Sequence, residues 1–401
     1  MFLVKLRKKA CVFLSLVLSI LMMTVIPVAA AVNNDNICSV ESNSWKDWPQ
    51  AVDIQASTGI VMDAKTGTIL FDKGMDDKRY PASITKIMTA LIAIENSSPE
   101  DLITFTETGM ADAYSGSSNI QPQLGETFTM EQCIYMIMLK SANDVSTQVA
   151  EVIGGSVEGF VDMMNQRAVE LGCTNTHFNN ASGLPDEDHY TSAHDMALIT
   201  QEALKNEQFR KVASTTNYTV PPTNLTPGSR EYRNHHALMF PEDTTWYYDG
   251  CVGGKTGYTD SALNTLVTFV NRDGMELISV VMHGESGPSV CTDTMTIMDY
   301  GYANFRYDEL GKVATATGGI VVENKVLNNE EYEEFLNKDK VTTTPTPDTI
   351  EEPENSKNSA SEIRKSDSQT AYAIIGVLGG LVVLGIVAII ITVVIRRKKR
   401  K

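Results

Sequence analysis

The sequence predicts an α+β fold within the broad α/β class: an antiparallel sheet flanked by helices, with a helical lobe beside it. Three observations predict it. Strand-like runs lie at both ends of a central globular region, residues 55–308. Helical periodicity dominates between them, and no internal repeat is evident. Strands at the two ends of a domain bury their faces most simply by joining one sheet, which helices then cover.

The elements follow in order. GIVMDAKTGTILFDK sets two apolar runs around an Asp/Lys/Thr/Gly cluster, the pattern of a β-hairpin. Ile84, Ile87, Met88, Leu91 and Ile94 then recur at helical spacing. MEQCIYMIMLKSANDVSTQVAEVIGG reads as two helical pieces broken at Ser141-Ala142-Asn143. VEGFVDMMNQRAVELG is amphipathic and stops at Gly172, and SAHDMALITQEALKN adds another helix. LNTLVTFVNRDGMELISVVMHG holds two β-rich runs around NRDG, a second hairpin, and CTDTMTIMDYGYANF closes with a helix.

The flanks of this region are of another kind. Residues 1–30 carry a basic start (Lys5, Arg7, Lys8, Lys9), an apolar run from Ala10 to Val25 and small residues Val28-Ala29-Ala30, which is a secretory signal pattern. Residues 31–54 are polar and irregular. A short segment, 309–340, follows the globular region. Residues 341–370 are rich in Thr, Pro, Glu, Ser, Asn and Lys, and read as a disordered linker spanning roughly 30 Å. Residues 371–395 hold no charge and are long enough to cross a bilayer. The basic tail 396–401 follows at once, which places it in the cytosol and the globular part outside.

The chain's net charge is −17. Setting aside the basic residues of the signal and tail leaves an exported part of about −27, a poor match for nucleic acid or anionic lipid. Five cysteines remain after the signal: Cys38, Cys133, Cys173, Cys251 and Cys291. An odd number at wide spacing excludes a full disulfide framework and any zinc spacing, so free and mostly buried thiols are expected. The six histidines form no close ligand triad and read as surface residues; no metal or cofactor is expected.

Three short patterns carry chemistry. Ser83 precedes Lys86 by three residues at a helix start, so both lie on one face, and a partly buried lysine loses basicity and serves as a base toward the hydroxyl. Ser141 and Asn143 stand at the break between helices, where a second hydroxyl relays a proton and an amide holds a carbonyl or the lysine. Ser117-Ser118-Asn119 has the same form but lies in a polar loop without a helix to fix it, so Ser141 is favoured. Lys-Thr-Gly occurs twice. Lys65-Thr66-Gly67 lies in the first hairpin's turn, where Asp63, Thr66 and Gly67 serve turn geometry. Lys255-Thr256-Gly257 opens a β-rich run. There Lys255 and Gly257 share a face, the lysine facing negative charge and the glycine leaving room for substrate backbone.

The ordered set Ser83-x-x-Lys86, Ser141-x-Asn143, Lys255-Thr256-Gly257 resembles the penicillin-recognising serine acyltransferases. YPASITKIMTA, KSANDVSTQVAEVIGGS, FVDMMNQRAVELGCTNTHFNNASGLPDEDHYTSAHDMALIT and GGKTGYT narrow it to the D-alanyl-D-alanine carboxypeptidases of the low-molecular-mass penicillin-binding proteins, from about Ala56 to Phe305. The resemblance implies a β-lactamase/transpeptidase-like fold. It implies Ser83 as acylated nucleophile, Lys86 as base and Ser141 in the proton relay. Asn143, Lys255, Thr256, Gly257, Tyr258 and Thr259 become substrate-binding, with the N–H groups of Ser83 and Tyr258 as the oxyanion hole. The implied substrates are peptidoglycan stem peptides ending in D-Ala-D-Ala, and the implied inhibitors are β-lactams.

This chain departs from the family pattern in places. His194 and Tyr258 stand where many members have arginine or histidine, at positions expected near the site. The family's β-rich C-terminal domain is reduced to the stub 309–340. Four rivals remain: a D,D-endopeptidase, a serine β-lactamase, a silent wall-binding protein and a metallopeptidase, the last disfavoured because the histidines form no close ligand triad. The β-lactamase needs a deacylating glutamate; Glu202 and Asn206 match one spacing, but they fall in an apparently continuous helix.

Overall fold

In the computed structural model, residue 32 and residues 36–114 and 116–341 are described. The signal, the apolar segment 371–395 and nearly all of the linker lie outside them. Contacts divide the chain into one unit reaching Asp339 and a second from Lys340 onward, of which only two residues are described. Among the described residues no helix is long and apolar enough to cross a membrane.

The central sheet has five antiparallel strands. Their spatial order is Ile69–Lys73, Thr58–Asp63, Met275–Gly284, Leu263–Arg272 and Cys251–Thr259. The first hairpin pairs directly with the second, Ile60 facing Val280 and Val61 facing Ser279. The ends of the region meet in one sheet, as the strand runs at both ends predict. Alternation sorts the side chains. Ile60, Met62, Val267, Phe269, Ile278, Val280 and Met282 join one apolar cluster with the Lys86–Glu95 and Ala193–Ala203 helices. Val61, Leu266, Val270, Leu277 and Val281 join another with Ile297 and Met298 of the Gly287–Asn304 helix. A period of two, apolar on both sides, is what a strand buried on both faces requires.

The helical lobe is built from Met130–Tyr135, Asn143–Gly154 and Val157–Glu170. Its starts are capped in sequence-local fashion: Thr129 and Gln132 form a reciprocal box, and the Ser156 hydroxyl accepts the Gly159 N–H. The Lys86–Glu95 helix runs through the middle, with every residue from Lys86 to Ala93 buried.

Both segments that flank the globular region contain ordered structure. Trp48, within the N-terminal stretch expected to be irregular, is buried against Phe305 and donates its indole N–H to the Leu70 carbonyl at 3.1 Å. The stretch expected as a stub belongs to a four-stranded antiparallel sheet, Phe305–Tyr307, Val313–Thr315, Ile320–Val322 and Lys325–Leu327, followed by the Asn329–Val341 helix. The turn of the first hairpin contacts this sheet through Asp63 and Lys65. Tyr307 donates to Asp63 at 2.6 Å, and Lys65 lies 5.0 Å above the Tyr307 ring. All five described cysteines are free, three of them buried.

Asp293, buried in the Gly287–Asn304 helix, accepts the N–H groups of Gln55 and Ala56 at 3.1 and 2.8 Å. Asp293→Ala strands both donors, and is expected to cost about 3 kcal/mol in a denaturant titration while leaving the cleft chemistry intact.

Candidate active site

A cleft of about 640 Å³ opens where the edge strand Cys251–Thr259 meets the helical lobe. Ser83, Ser141, Asn143, Thr256, Gly257, Tyr258 and Thr259 line it. Lys86 and Lys255 reach it from beneath, both buried. All nine residues singled out in the sequence therefore converge.

Ser83 lies in a tight turn, Ala82–Thr85, that runs straight into the Lys86–Glu95 helix. Ala82 holds φ at 52°, a left-handed value rarely taken by a residue with a β-carbon. The turn is clamped from two sides. Thr265 donates to the Pro81 carbonyl at 2.9 Å. Gly183, itself at φ 84°, presses so close that a β-carbon there would lie 1.9 Å from the Ala82 oxygen.

Lys86 Nζ contacts three oxygens: Ser83 Oγ at 3.1 Å, Asn143 Oδ1 at 2.6 Å and the Ser182 carbonyl. Burial, then repulsion from Lys255, holds its pKa well below the ordinary lysine range. A neutral amine keeps two N–H groups for Asn143 and Ser182 and turns its lone pair to the Ser83 hydroxyl.

Ser141 follows a wide π-type turn, Met136–Lys140, and sits at φ 60°. Wide turns of this kind often mark functional positions because they re-aim a side chain. Here the hydroxyl is turned to Lys255 Nζ, 3.1 Å away. That amine also donates to the Thr256 carbonyl at 2.9 Å, and burial lowers its pKa to about 7.

Some positions differ from expectation. Ser117, set aside as an unfixed loop residue, lines the cleft, and its hydroxyl accepts the Asn143 Nδ2–H at 2.9 Å. The loop is fixed from outside: Asp144 accepts the Ile120 N–H, and the Ser118 carbonyl accepts the Asn143 N–H at 2.7 Å. Gly257 makes room for protein rather than substrate, since a β-carbon there would lie 2.9 Å from Ser83 N and 2.4 Å from Thr265 Oγ1. His194 is not at the cleft; its Nδ1 pairs with Asp76 at 3.0 Å. The histidines are not all surface residues, for His189 and His236 are buried. Glu202 ends its helix in ion pairs with Arg167 and Lys205, and Asn206 caps a separate helix, Glu207–Ala213, so neither serves the cleft.

Two contributors escaped the sequence. The Ser182 carbonyl is main chain and carries no side-chain signature; Asn180 shapes its loop by accepting the N–H groups of Ser182, Gly183 and Leu184. His189 accepts the Asn179 N–H at Nδ1, so Nε2 carries the proton and donates to Thr85 Oγ1 at 2.9 Å, one residue before Lys86.

A family model described as D-alanyl-D-alanine carboxypeptidase, peptidase S11, matches residues 45–286, more than half of the chain. The chain belongs to that family. A D-alanyl-D-alanine carboxypeptidase of Bacillus subtilis is 32% identical over 64% of this chain. The match covers 65% of that relative's length, just under two thirds. One from Mycobacterium tuberculosis is 30% identical over 62% of this chain and 82% of its own. Among solved structures, the Streptomyces K15 DD-transpeptidase superposes with a TM-score of 0.59 at 30% identity, covering 64% of this chain and all of that one. The transpeptidase-like α/β fold is thereby shown.

His189 yields a stability test. Burial drops its folded pKa to about 3 from 6.5. Between those values the unfolded chain binds the extra proton, so this contribution is whole above pH 6.5 and lost as pH falls toward 3. His189→Gln, whose amide keeps one donor and one acceptor, is expected to show a smaller fall in Tm between pH 7 and pH 4 than the parent protein.

Proposed function

We propose that the protein is a serine D-alanyl-D-alanine carboxypeptidase that removes the terminal D-alanine of peptidoglycan stem peptides through an acyl-enzyme on Ser83. The observation that carries this is the contact of Lys86 Nζ, buried and low in pKa, with Ser83 Oγ. Family membership and the relatives' names support the substrate.

In this reading the Ser83 proton passes to Lys86 as Oγ attacks the carbonyl of the penultimate D-alanine. The N–H groups of Ser83 and Tyr258 face the oxyanion; the close approach of Gly257 to Ser83 N supports their adjacency. The tetrahedral centre collapses, the C–N bond breaks, and the proton taken up by Lys86 is relayed through the Ser141 hydroxyl to the leaving nitrogen, with Lys255 behind Ser141, so that both Ser141 and Lys86 return to their starting states. Water then adds to the ester as Lys86 takes its proton, and Lys86 returns that proton to Ser83 Oγ as the ester bond breaks and the shortened peptide leaves as the carboxylic acid. Asn143 holds Lys86 and is itself held by Ser117. A β-lactam acylates the same oxygen, with its own ring nitrogen as the leaving group.

The protein is read as exported and tethered to the cell membrane through residues 371–395. The uncharged length of that segment and the basic tail support this.

The deciding experiment gives the full chain, in detergent, a pentapeptide ending in D-Ala-D-Ala. Release of D-alanine, blocked by penicillin, is expected. Ser83→Ala lowers it by a factor on the order of 10³ or more; a variant that still released D-alanine at the parent rate overturns the mechanism. The pH profile is a second test. Lys86 must be neutral to accept the proton, so kcat/KM falls at acid pH. Lys255, near 7, must be charged to face an anion, so kcat/KM also falls as pH rises past it. Lys255→Arg, permanently charged, is expected to lower the plateau and abolish the alkaline limb between about pH 7 and 9.

A further inference from the structure

One carboxylate of the cleft has no part in that mechanism. Among the described residues that line the cleft, Asp260 alone is acidic. It stands at the turn between the edge strand Cys251–Thr259 and its neighbour Leu263–Arg272. That turn is fixed from within and from behind. The Thr259 hydroxyl accepts the Ala262 N–H at 3.0 Å, and His283 Nδ1 lies 3.2 Å from the Ala262 carbonyl.

Two exposed rings share the cleft with it. Tyr258 is 59% exposed and donates its hydroxyl to Asp260 Oδ1 at 3.0 Å. Tyr114 is 49% exposed and lines the cleft from the loop that also carries Ser117. Among the described residues Asp260 has no lysine, arginine or histidine partner. A carboxylate without a counter-charge, beside open tyrosine faces, suits an ammonium group: the oxygens pair with it and the rings attract it.

The mechanism sets which part of the substrate lies there. Ser141 and Lys255 serve the leaving nitrogen, and the Tyr258 N–H faces the oxyanion. Passing along the strand from Lys255 through Tyr258 therefore leads from the departing D-alanine toward the acyl part of the peptide. At roughly 3.4 Å per residue, Asp260 lies about 7 Å beyond Tyr258, level with the residue just upstream of the D-alanyl pair. The cleft's histidine does not oppose a cation. Burial, then the charges of Lys255 and Lys140, lowers the His235 pKa to about 4, so its ring is neutral near pH 7.

We propose that Asp260 is a specificity-determining residue that, with the Tyr258 and Tyr114 rings, receives a free ammonium group on the side chain immediately upstream of the D-alanyl pair. This rests on the carboxypeptidase reading and sharpens it. A long amine-bearing side chain lays its methylenes against the rings and carries its charge to the carboxylate. An amine already acylated in a crosslink has lost both its charge and this contact. The mouth of the cleft thus directs the enzyme to stem peptides that are not yet crosslinked through that amine.

The test gives the full chain, in detergent, two pentapeptides ending in D-Ala-D-Ala. They differ only in the residue before that pair: L-lysine in one, and Nε-acetyl-lysine, which is neutral, in the other. The free amine is expected to raise kcat/KM for D-alanine release about 3- to 10-fold, the scale of an exposed ion pair joined by a ring contact. Raising the salt concentration is expected to shrink that preference. Asp260→Asn brings the two peptides level by slowing the lysine peptide alone, and Asp260→Lys reverses the preference. Equal rates on the two peptides with the parent protein, or an equal loss on both in Asp260→Asn, overturn the proposal while leaving the carboxypeptidase reading in place. A parent protein that releases D-alanine from neither peptide overturns that reading and this inference together.

Discussion

A primary amine taken out of water is the constraint on which the rest of this structure depends. Lys86 Nζ meets a serine from its own turn, an amide from the lobe and a carbonyl from the 178–184 loop. Each partner comes from a different part of the chain, so the amine closes only when turn, lobe and loop are all in place. Burying a charged ammonium costs several kcal/mol, and shedding the proton is the cheaper course. The fold thus makes a base by desolvation. The same act supplies the geometry, because the two remaining N–H groups must find acceptors and thereby orient the lone pair on Ser83.

The strain in the cleft follows from this arrangement. Ala82 and Ser141 are both left-handed, at 52° and 60°. Each costs on the order of 1–3 kcal/mol. Both stand where a serine hydroxyl is aimed at a lysine, Ser83 at Lys86 and Ser141 at Lys255. The backbone is bent at these points because two hydroxyls must converge on one cleft from elements that approach it from different sides. The burial of the Lys86–Glu95 helix and the contact of Gly183 with Ala82 hold the bend.

Local pattern made much of this legible. The two hairpins announce themselves by turn residues between apolar runs, and the break at Ser141 by small polar residues within a helical period. Pairing of the terminal strands followed from having no other partner for them. What stayed hidden was set by tertiary contact. Ser117 looks like loop until Asn143 and Asp144 are seen to fix it. The Ser182 carbonyl has no letter in the sequence. Gly257 reads in the sequence as room for substrate, whereas the backbone of Ser83 lies against that face. His189 and His236 read as surface residues because single histidines carry no period. Each is buried with partners drawn from distant segments.

The two Lys-Thr-Gly tripeptides show why motif and chemistry part company. In the first, Asp63 accepts the Thr66 N–H at 2.7 Å and its hydroxyl at 2.6 Å, and Gly67 takes φ 75°. Threonine and glycine are spent on the turn, and Lys65, exposed, rests over Tyr307 with its charge solvated. In the second, the strand carries the backbone bonds, so the side chains are free. Lys255 is 2% exposed and touches Ser141, and Gly257 lets the strand approach Ser83. The same three residues give a turn where water reaches the amine and a reactive edge where it does not. What distinguishes them is the depth at which the amine sits and whether a strand or a turn has claimed the backbone beside it.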